Sequence, residues 1–387
     1  LVRNGSEIRG DWFQAGGKFR LSLVPTSTPP HPIRPQGPVP PFPYRSEEVR
    51  IDHSGGDVVL SGTLTVPEGV GPFPAVVLVS GSGPQDRDET LFGHKPFMVL
   101  ADHLTREGIA VLRYDDRGVG DSRGDFAQAT SEDFATDALA AVEYLASHSS
   151  VDPDRVGIVG HSEGGIVAPM AAVRSDRVAF IVSMAGTGIS GRDLLELQTR
   201  LILEASQVPA SVIALNRRIQ DEVFDKLLEA GTVEGALELA RGELEASGSG
   251  LPYAAMNALG LAAQVDRAME EQLRAVASPW LFFFLTFDPT TAFERVTVPV
   301  LALNGTLDLQ VPPDPNLFRI REALERGGYP NGTIVELDGL NHLFQHAETG
   351  LPSEYGLIEE TMAQEVLELI AGWILDLGAP TSEKGRS

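Results

Sequence analysis

One pentapeptide constrains this chain more than any other feature. It is Gly160-His161-Ser162-Glu163-Gly164, a G-x-S-x-G pattern with an apolar, strand-like run directly before it and a helical pattern directly after it. A serine in that context sits on a sharp turn with strained backbone angles, and glycines two residues to either side let the helix pass close to the strand. The turn lifts the hydroxyl to the carboxyl edge of a sheet, and the following helix points its positive end at it. The bare pattern arises easily by chance in a chain with 40 glycines among 387 residues, so the flanking strand and helix carry the signal. The competing reading is an ordinary buried turn. Ser162 is the candidate nucleophile.

The surroundings repeat the same alternation. AVVLVSG (Ala75–Gly81), AVLRYDDRG (Ala110–Gly118), RVGIVG (Arg155–Gly160) and RVAFIVSMAG (Arg177–Gly186) are short apolar runs of the kind that fill the centre of a parallel sheet. Helical patterns separate them at Pro96–Gly108, at Ser131–His148 with Ser131 read as the cap, and at Glu163–Ser175. This predicts an α/β fold, a doubly wound, mostly parallel sheet. From Arg192 to Ala277 only helical patterns occur. Strand and helix resume at VPVLALNG (Val298–Gly305), followed by a helix near Asn316–Arg326, a strand Thr333–Leu337 and a long helix Tyr355–Leu377. The expected division is 44–190 and 291–380 as two parts of one core, with 191–290 inserted as a helical cap. Upstream, 1–24 reads as two β strands joined at Gly16-Gly17, a remnant of an N-terminal β domain. Nine prolines mark 25–43 as a stiff, extended linker. Residues 381–387 are expected to form a disordered tail.

Composition bounds the chemistry. Apolar residues make up 42% of the chain, enough for a substantial core. No cysteine is present, so disulfides and thiol nucleophiles are excluded. A net charge of −24 opposes binding to nucleic acid and to anionic membrane surfaces. No run of about 18 apolar residues offers an integral membrane segment. The chain opens on Leu1 and reads as a mature or truncated form, which leaves a secreted, a periplasmic and a cytoplasmic destination all open.

A serine hydroxyl needs a base to take its proton. Of eight histidines, His342 and His346 follow the last strand, in TIVELDGLNHLFQH. Around a strand–serine–helix elbow the chain order is serine, acid, histidine. His342 is favoured by its closeness to the strand, and His346 is the runner-up. Asp308, three residues past Gly305 in VPVLALNGTLDLQVPP, is the candidate acid that orients the base, with Asp314 and Asp338 as competitors. His161 reads as a packing residue, because it cannot easily reach its neighbour's hydroxyl. The first core strand ends in SGSGPQDRD, and the candidate oxyanion donors are the backbone N–H groups of Ser82 and Glu163. A phosphate-binding reading of SGSGPQ is weaker, because the stretch lacks the GK[ST] ending of a P-loop and the third glycine of a dinucleotide fingerprint. Asp86, Arg87 and Asp88 are expected to form a local ion-pair network. Phe283 and Phe284, in the aromatic run at Trp280–Phe284, are candidates for an acyl pocket, although core packing is the commoner use of such a cluster.

Taken together these stretches resemble bacterial α/β-hydrolase carboxylesterases. The resemblance rests on GSGPQDRD, GHSEGG, LNGTLDLQV and GLNHLF, in that order, and covers about Tyr44 to Leu377. It implies an α/β-hydrolase fold, esterase activity on short or medium acyl esters, the insert as a lid, and N-terminal strands drawn from a separate β domain. The implied enzyme attacks a small-molecule ester with Ser162 through an acyl-enzyme. It requires no cofactor and no metal, and none is expected. A peptidase or amidase, a thioesterase, and an inert binding protein on the same scaffold are the alternatives. Oligomeric state and substrate preference stay open.

Overall fold

Runs of valine, leucine, isoleucine and alanine build the middle of an eight-stranded sheet. The computed structural model describes residues 2–4, 7–14, 17–23, 33–53, 56–232, 235, 238, 278–329 and 332–377. Three short strands come first: β1 (Val2–Asn4), β2 (Glu7–Gln14) and β3 (Gly17–Leu23) form a separate antiparallel sheet in the order β1-β2-β3. The sequence pattern predicts β2 and β3 only. A three-residue strand is too short to show alternation. The first part of the proline-rich stretch, most of 233–277 and the tail at 381–387 lie outside the described residues.

The main sheet comprises β4 (Tyr44–His53), β5 (Val58–Pro67), β6 (Phe73–Val79), β7 (Ala110–Tyr114), β8 (Val151–His161), β9 (Phe180–Met184), β10 (Val300–Gly305) and β11 (Thr333–Leu337). Their spatial order is β11-β10-β9-β8-β6-β7-β5-β4. β7 through β11 in that order run parallel, and β5 and β4 add an antiparallel edge. Central positions pair apolar with apolar, as Val77 does with Leu112 and with Ile158. Because side chains alternate across a strand, Val77 and Ile158 face one core and Val76, Leu78 and Val159 the other.

Helices cover both faces. On one face lie α1 (Pro96–Arg106) and α10 (Gln364–Asp376); on the other lie α2 (Ser131–Ser147), α3 (Gly164–Ala172) and α8 (Pro313–Arg326). Between β9 and β10 the chain leaves the sheet and forms α4 (Gly191–Ala205), α5 (Ala210–Ala230), α6 (Pro279–Thr286) and α7 (Thr290–Phe293). Phe224 and Leu227 of α5 pack on Leu281 and Leu285 of α6. Leu194 and Phe284 join Ile166 of α3 and Val311, which seats the insert on the sheet's carboxyl edge. Among the described residues no helix is long and apolar enough to cross a membrane.

Two expectations of local structure are corrected. The helix α2 is capped by Thr130, whose N–H meets the Asp133 carboxylate at 2.9 Å, and Ser131 is turned elsewhere. The closing helix expected over Tyr355–Leu377 starts only at Gln364, as α10, and a separate short helix, α9 (Pro352–Tyr355), ends where it was expected to begin. Between them, the N–H groups of Thr361 and Met362 donate to the side chain of Gln36, and Arg34 donates to the carbonyls of Gly356 and Ile358. Residues 34–36 are therefore pinned to the body rather than free as a spacer.

Candidate active site

The carboxyl edge of the sheet gathers the predicted residues. The chain passes from β6 to β7 on one side, then returns across β6 to β8 on the other. The ends of β6 and β8 flank that reversal, where an open α/β sheet leaves a crevice for ligand. Ser82 follows β6, Ser162 follows β8, Asp308 follows β10 and His342 follows β11. Ser82, Ser162, Glu163 and His342 line one cleft enclosing about 460 Å³, counting its open mouth.

Ser162 holds a backbone φ of 53°, in the left-handed region that non-glycine residues avoid. Its N–H donates to the Met184 carbonyl of the neighbouring strand at 2.8 Å. The turn can be this tight because Gly164 has no side chain: a Cβ there would stand 2.1 Å from the carbonyl oxygen of Val79.

His342 and Asp308 come together although 34 residues separate them. Nδ1 of His342 donates to Asp308 Oδ2 at 2.8 Å, and both groups are buried. Asp308 Oδ1 accepts the N–H groups of Gln310 and Val311, each at 2.8 Å, so the loop holds its carboxylate in one orientation. The carboxylate leaves Nε2 as the ring nitrogen with a free lone pair. Asn341 shapes the histidine loop by accepting the N–H groups of Leu343 and Gln345 at 3.0 Å each. The competitors are placed differently. His346 points outward to Glu360 and Glu365, and Asp338 meets Thr306. His342 and His346 stand four residues apart, a spacing that suits metal binding on a helix. Here they lie in an irregular loop and turn to different partners. Among the described residues no group of three or more His, Cys, Asp or Glu could hold a metal ion.

Both oxyanion candidates, the N–H groups of Ser82 and Glu163, belong to residues that line the cleft beside Ser162. The Gly81 N–H is occupied by the Glu89 carboxylate at 2.8 Å, and the next residue, Ser82, lines the cleft. Among the described residues the Ser82 and Glu163 N–H groups have no backbone carbonyl as acceptor. The Glu163 carboxylate has a role the sequence reading missed. It is buried beneath the cleft and accepts the Ser131 hydroxyl at 2.6 Å and the Trp280 indole N–H at 2.7 Å. Burial pushes this carboxyl above its usual range, against the pull of those two hydrogen bonds. The residue thus ties the serine turn to α2 and α6 at once.

The loop after β6 is braced from outside. Arg87 pairs with Asp115 and Glu48, and Asp88 with Lys95 and Arg113, so the ion pairs expected among Asp86, Arg87 and Asp88 run instead to β4, to Lys95 just before α1, to β7 and to the turn after β7, while Asp86 bonds within the loop to the N–H groups of Asp88 and Thr90. Asp116 accepts from Ser80 Oγ and the Gln85 N–H, and its carboxyl is pushed up to about 8, chiefly by burial. His161 is likewise more than a packing residue: its Nδ1 faces Glu89 at 2.9 Å and its Nε2 faces the His342 carbonyl at 2.9 Å.

The two phenylalanines part company. Phe284 lines the cleft, stacked on Trp280 with ring centroids 4.9 Å apart. Phe283 stacks on Phe287 at 5.0 Å and packs against the main core, away from the cleft. Neighbours on a helix point about 100° apart, so only one of them faces the site. For a cleft that takes an acyl chain, Phe284→Ala is expected to shift relative kcat/KM from p-nitrophenyl acetate toward octanoate by about tenfold, the low end of what a single methylene contributes in an apolar pocket. Phe283→Ala is expected to leave the acyl profile unchanged and to lower stability by roughly 2–3 kcal/mol, below the full value for a wholly buried ring. A chain-length series and a denaturant melt on each variant check both.

Comparison with known proteins follows the same lines. The chain is 28% identical over 330 residues to esterase EstD of Thermotoga maritima, covering 82% of this chain and 65% of EstD. It is 28% identical over 158 residues to 2,6-dihydropseudooxynicotine hydrolase of Paenarthrobacter nicotinovorans, covering 39% of this chain and 38% of that one. The chain thus spans less than two thirds of either relative. A solved esterase structure from Pyrococcus furiosus shares the fold at a TM-score of 0.51 and 15% identity, over 86% of this chain and 91% of that one. The model of the alpha/beta hydrolase family matches residues 76–350, which takes in the serine turn, the acid loop and the histidine loop together. The protein belongs to the alpha/beta hydrolase family.

Proposed function

We propose that the chain is a serine esterase that cleaves small-molecule carboxylic esters of short to medium acyl length. The observation that carries this reading is the buried His342–Asp308 hydrogen bond opening on the same cleft as Ser162. In the proposed cycle Nε2 of His342 takes the Ser162 proton as Oγ attacks the ester carbonyl. The oxyanion is held by the N–H groups of Ser82 and Glu163. His342 then protonates the leaving alcohol, and a water activated by the same imidazole releases the acid and frees the serine. Every step uses side chains and amides of this chain. The apolar wall formed by Leu194, Trp280, Phe284 and Val311 suits an acyl chain, and it is built largely by the insert. In this reading the described part of the 191–290 insert, α4 to α6, acts as a cap over the cleft. The likeness to EstD supports the ester as substrate class.

The test is hydrolysis of p-nitrophenyl acetate, butyrate and octanoate beside a matched p-nitroanilide, with a fluorophosphonate probe mapped by peptide mass spectrometry. Ester turnover well above anilide turnover, with the probe on Ser162, is the expected result. Anilide turnover equal to ester turnover would move the assignment to an amidase. A folded protein that neither turns over nor labels would overturn the enzymatic reading.

A further inference from the structure

Three loops meet behind the cleft, and one pair of buried side chains touches all of them. Glu89 follows the SGSGPQDRD stretch, with a backbone φ of 52° that turns its carboxylate back onto its own loop. Oε1 accepts the Gly81 N–H at 2.8 Å and lies 2.9 Å from His161 Nδ1. On the far side of the ring, His161 Nε2 lies 2.9 Å from the backbone carbonyl of His342. The two imidazoles stand 4.8 Å apart, centroid to centroid. The side chains of His161 and Glu89 are only 6% and 5% exposed.

The chemistry of the partners sets the protons. A carbonyl oxygen only accepts, so Nε2 of His161 carries a hydrogen and donates it. A second proton lies between Nδ1 and the carboxylate. Burial alone would lower the His161 pKa, but the charge and hydrogen bond of Glu89 outweigh it and the group titrates above its ordinary value. A buried ion pair of this kind adds little stability over apolar residues of the same volume. What apolar residues could not supply is direction. Each bond here ends on a residue adjacent in sequence to a working group, or on the working residue itself. Gly81 precedes Ser82, His161 precedes Ser162, and the carbonyl belongs to His342. The packing agrees: a Cβ on Gly81 would stand 3.2 Å from both Glu89 Oε1 and Ser162 Cβ, so these groups already lie close together and a side chain there would make them give by a few tenths of an ångström.

We propose that Glu89 and His161 are a positioning pair that holds the oxyanion loop, the serine turn and the histidine loop in one register. The proposal rests on the reading of Ser162 and His342 as nucleophile and base. Neither Glu89 nor His161 touches substrate; each acts through the groups it holds.

The test compares wild type, Glu89→Gln, Glu89→Ala, His161→Phe and the double variant Glu89→Gln/His161→Phe. Each is assayed well below its melting temperature for kcat and KM on p-nitrophenyl butyrate and for the rate of fluorophosphonate labelling. Glu89→Ala is expected to lower kcat by about 10²-fold, the scale set by small misplacements of reacting groups, with KM and binding little changed. Glu89→Gln should recover about tenfold of that loss, because its amide oxygen still accepts the Gly81 N–H. The double variant should lose no more than the worse single one, as residues acting as a unit do. If Glu89→Ala does not fold, the Glu89→Gln and His161→Phe cycle decides alone. Folded single variants with wild-type kcat and labelling rate, or losses that multiply in the double variant, would overturn the pair. A wild-type protein that neither turns over nor labels would instead overturn the nucleophile and base on which the proposal rests.

Discussion

Asp308→Asn is expected to lower kcat on p-nitrophenyl butyrate by roughly 10⁴-fold while leaving the fold intact, the scale known for this change in a serine triad. The carboxylate does two things that an amide cannot both repeat. Its Oδ2 accepts from His342 Nδ1, and its Oδ1 accepts two backbone N–H groups of its own loop. Those two amides fix which atom of an asparagine sits where. The amide oxygen must stay at the Oδ1 position, since an NH₂ there would face two donors. The NH₂ group then points at His342 Nδ1 and donates to it. The imidazole is left with its hydrogen on Nε2 and has no free lone pair with which to take the serine proton. Ser162→Ala should remove more, on the order of 10⁶-fold, because the nucleophile itself is gone. Both variants should melt near wild type. Labelling by the fluorophosphonate should vanish for Ser162→Ala and slow in step with kcat for Asp308→Asn. An Asp308→Asn variant within tenfold of wild type would remove Asp308 from the proposed mechanism.

The parts of this molecule that were legible in sequence are those whose geometry is local. β6, β9, β10 and the second half of β8, Val156–His161, are buried on both faces, so each reads as a short, largely apolar run. The serine turn is legible because strand, glycine spacing and helix all fall within a few residues. The loops of Asp308 and His342, the proposed acid and base, follow from chain order, since each comes directly after a strand that ends at the same sheet edge. What could not be read is what depends on contact between distant residues. Glu89 and His161 are 72 positions apart, and His161 and His342 are 181 apart. No periodicity records such a pairing. Glu163 was assigned by its amide alone, because its carboxylate partners are Ser131 and Trp280, on α2 and α6. The same cause explains Ser131, which looks like a cap beside Thr130 but spends its hydroxyl on Glu163. The break before α10 is likewise non-local: Gln36, more than 300 residues upstream, takes the amides that a continuous helix would have used.

Gly160→Ala is expected to destabilise the protein by more than about 4 kcal/mol, most or all of the margin of an ordinary domain, and so to abolish the soluble folded form. A Cβ on Gly160 would stand 1.9 Å from the Gly164 carbonyl oxygen, 2.2 Å from its carbon and 2.8 Å from the Gly165 nitrogen. All three are backbone atoms, so no side chain can swing aside, and α3 itself must move. It has nowhere to go. Gly164 lies so close to β6 that its own Cβ would meet the Val79 oxygen at 2.1 Å, and a Cβ on Gly165 would meet Gly186 at 2.6 Å. The helix is held between β6 on one side and the end of β9 on the other, and overpacking of a site with no slack exceeds the usual 1–3 kcal/mol. Gly108→Ala is the control. That glycine has a φ of 92° but nothing within 4 Å of a built Cβ, so only backbone strain of about 1 kcal/mol is expected. Soluble yield and denaturant melts on the two variants read the difference. If Gly160→Ala folds with a melting temperature close to that of Gly108→Ala and still labels at Ser162, the close packing of α3 against the serine strand is wrong. The strained position of Ser162 would then need another cause.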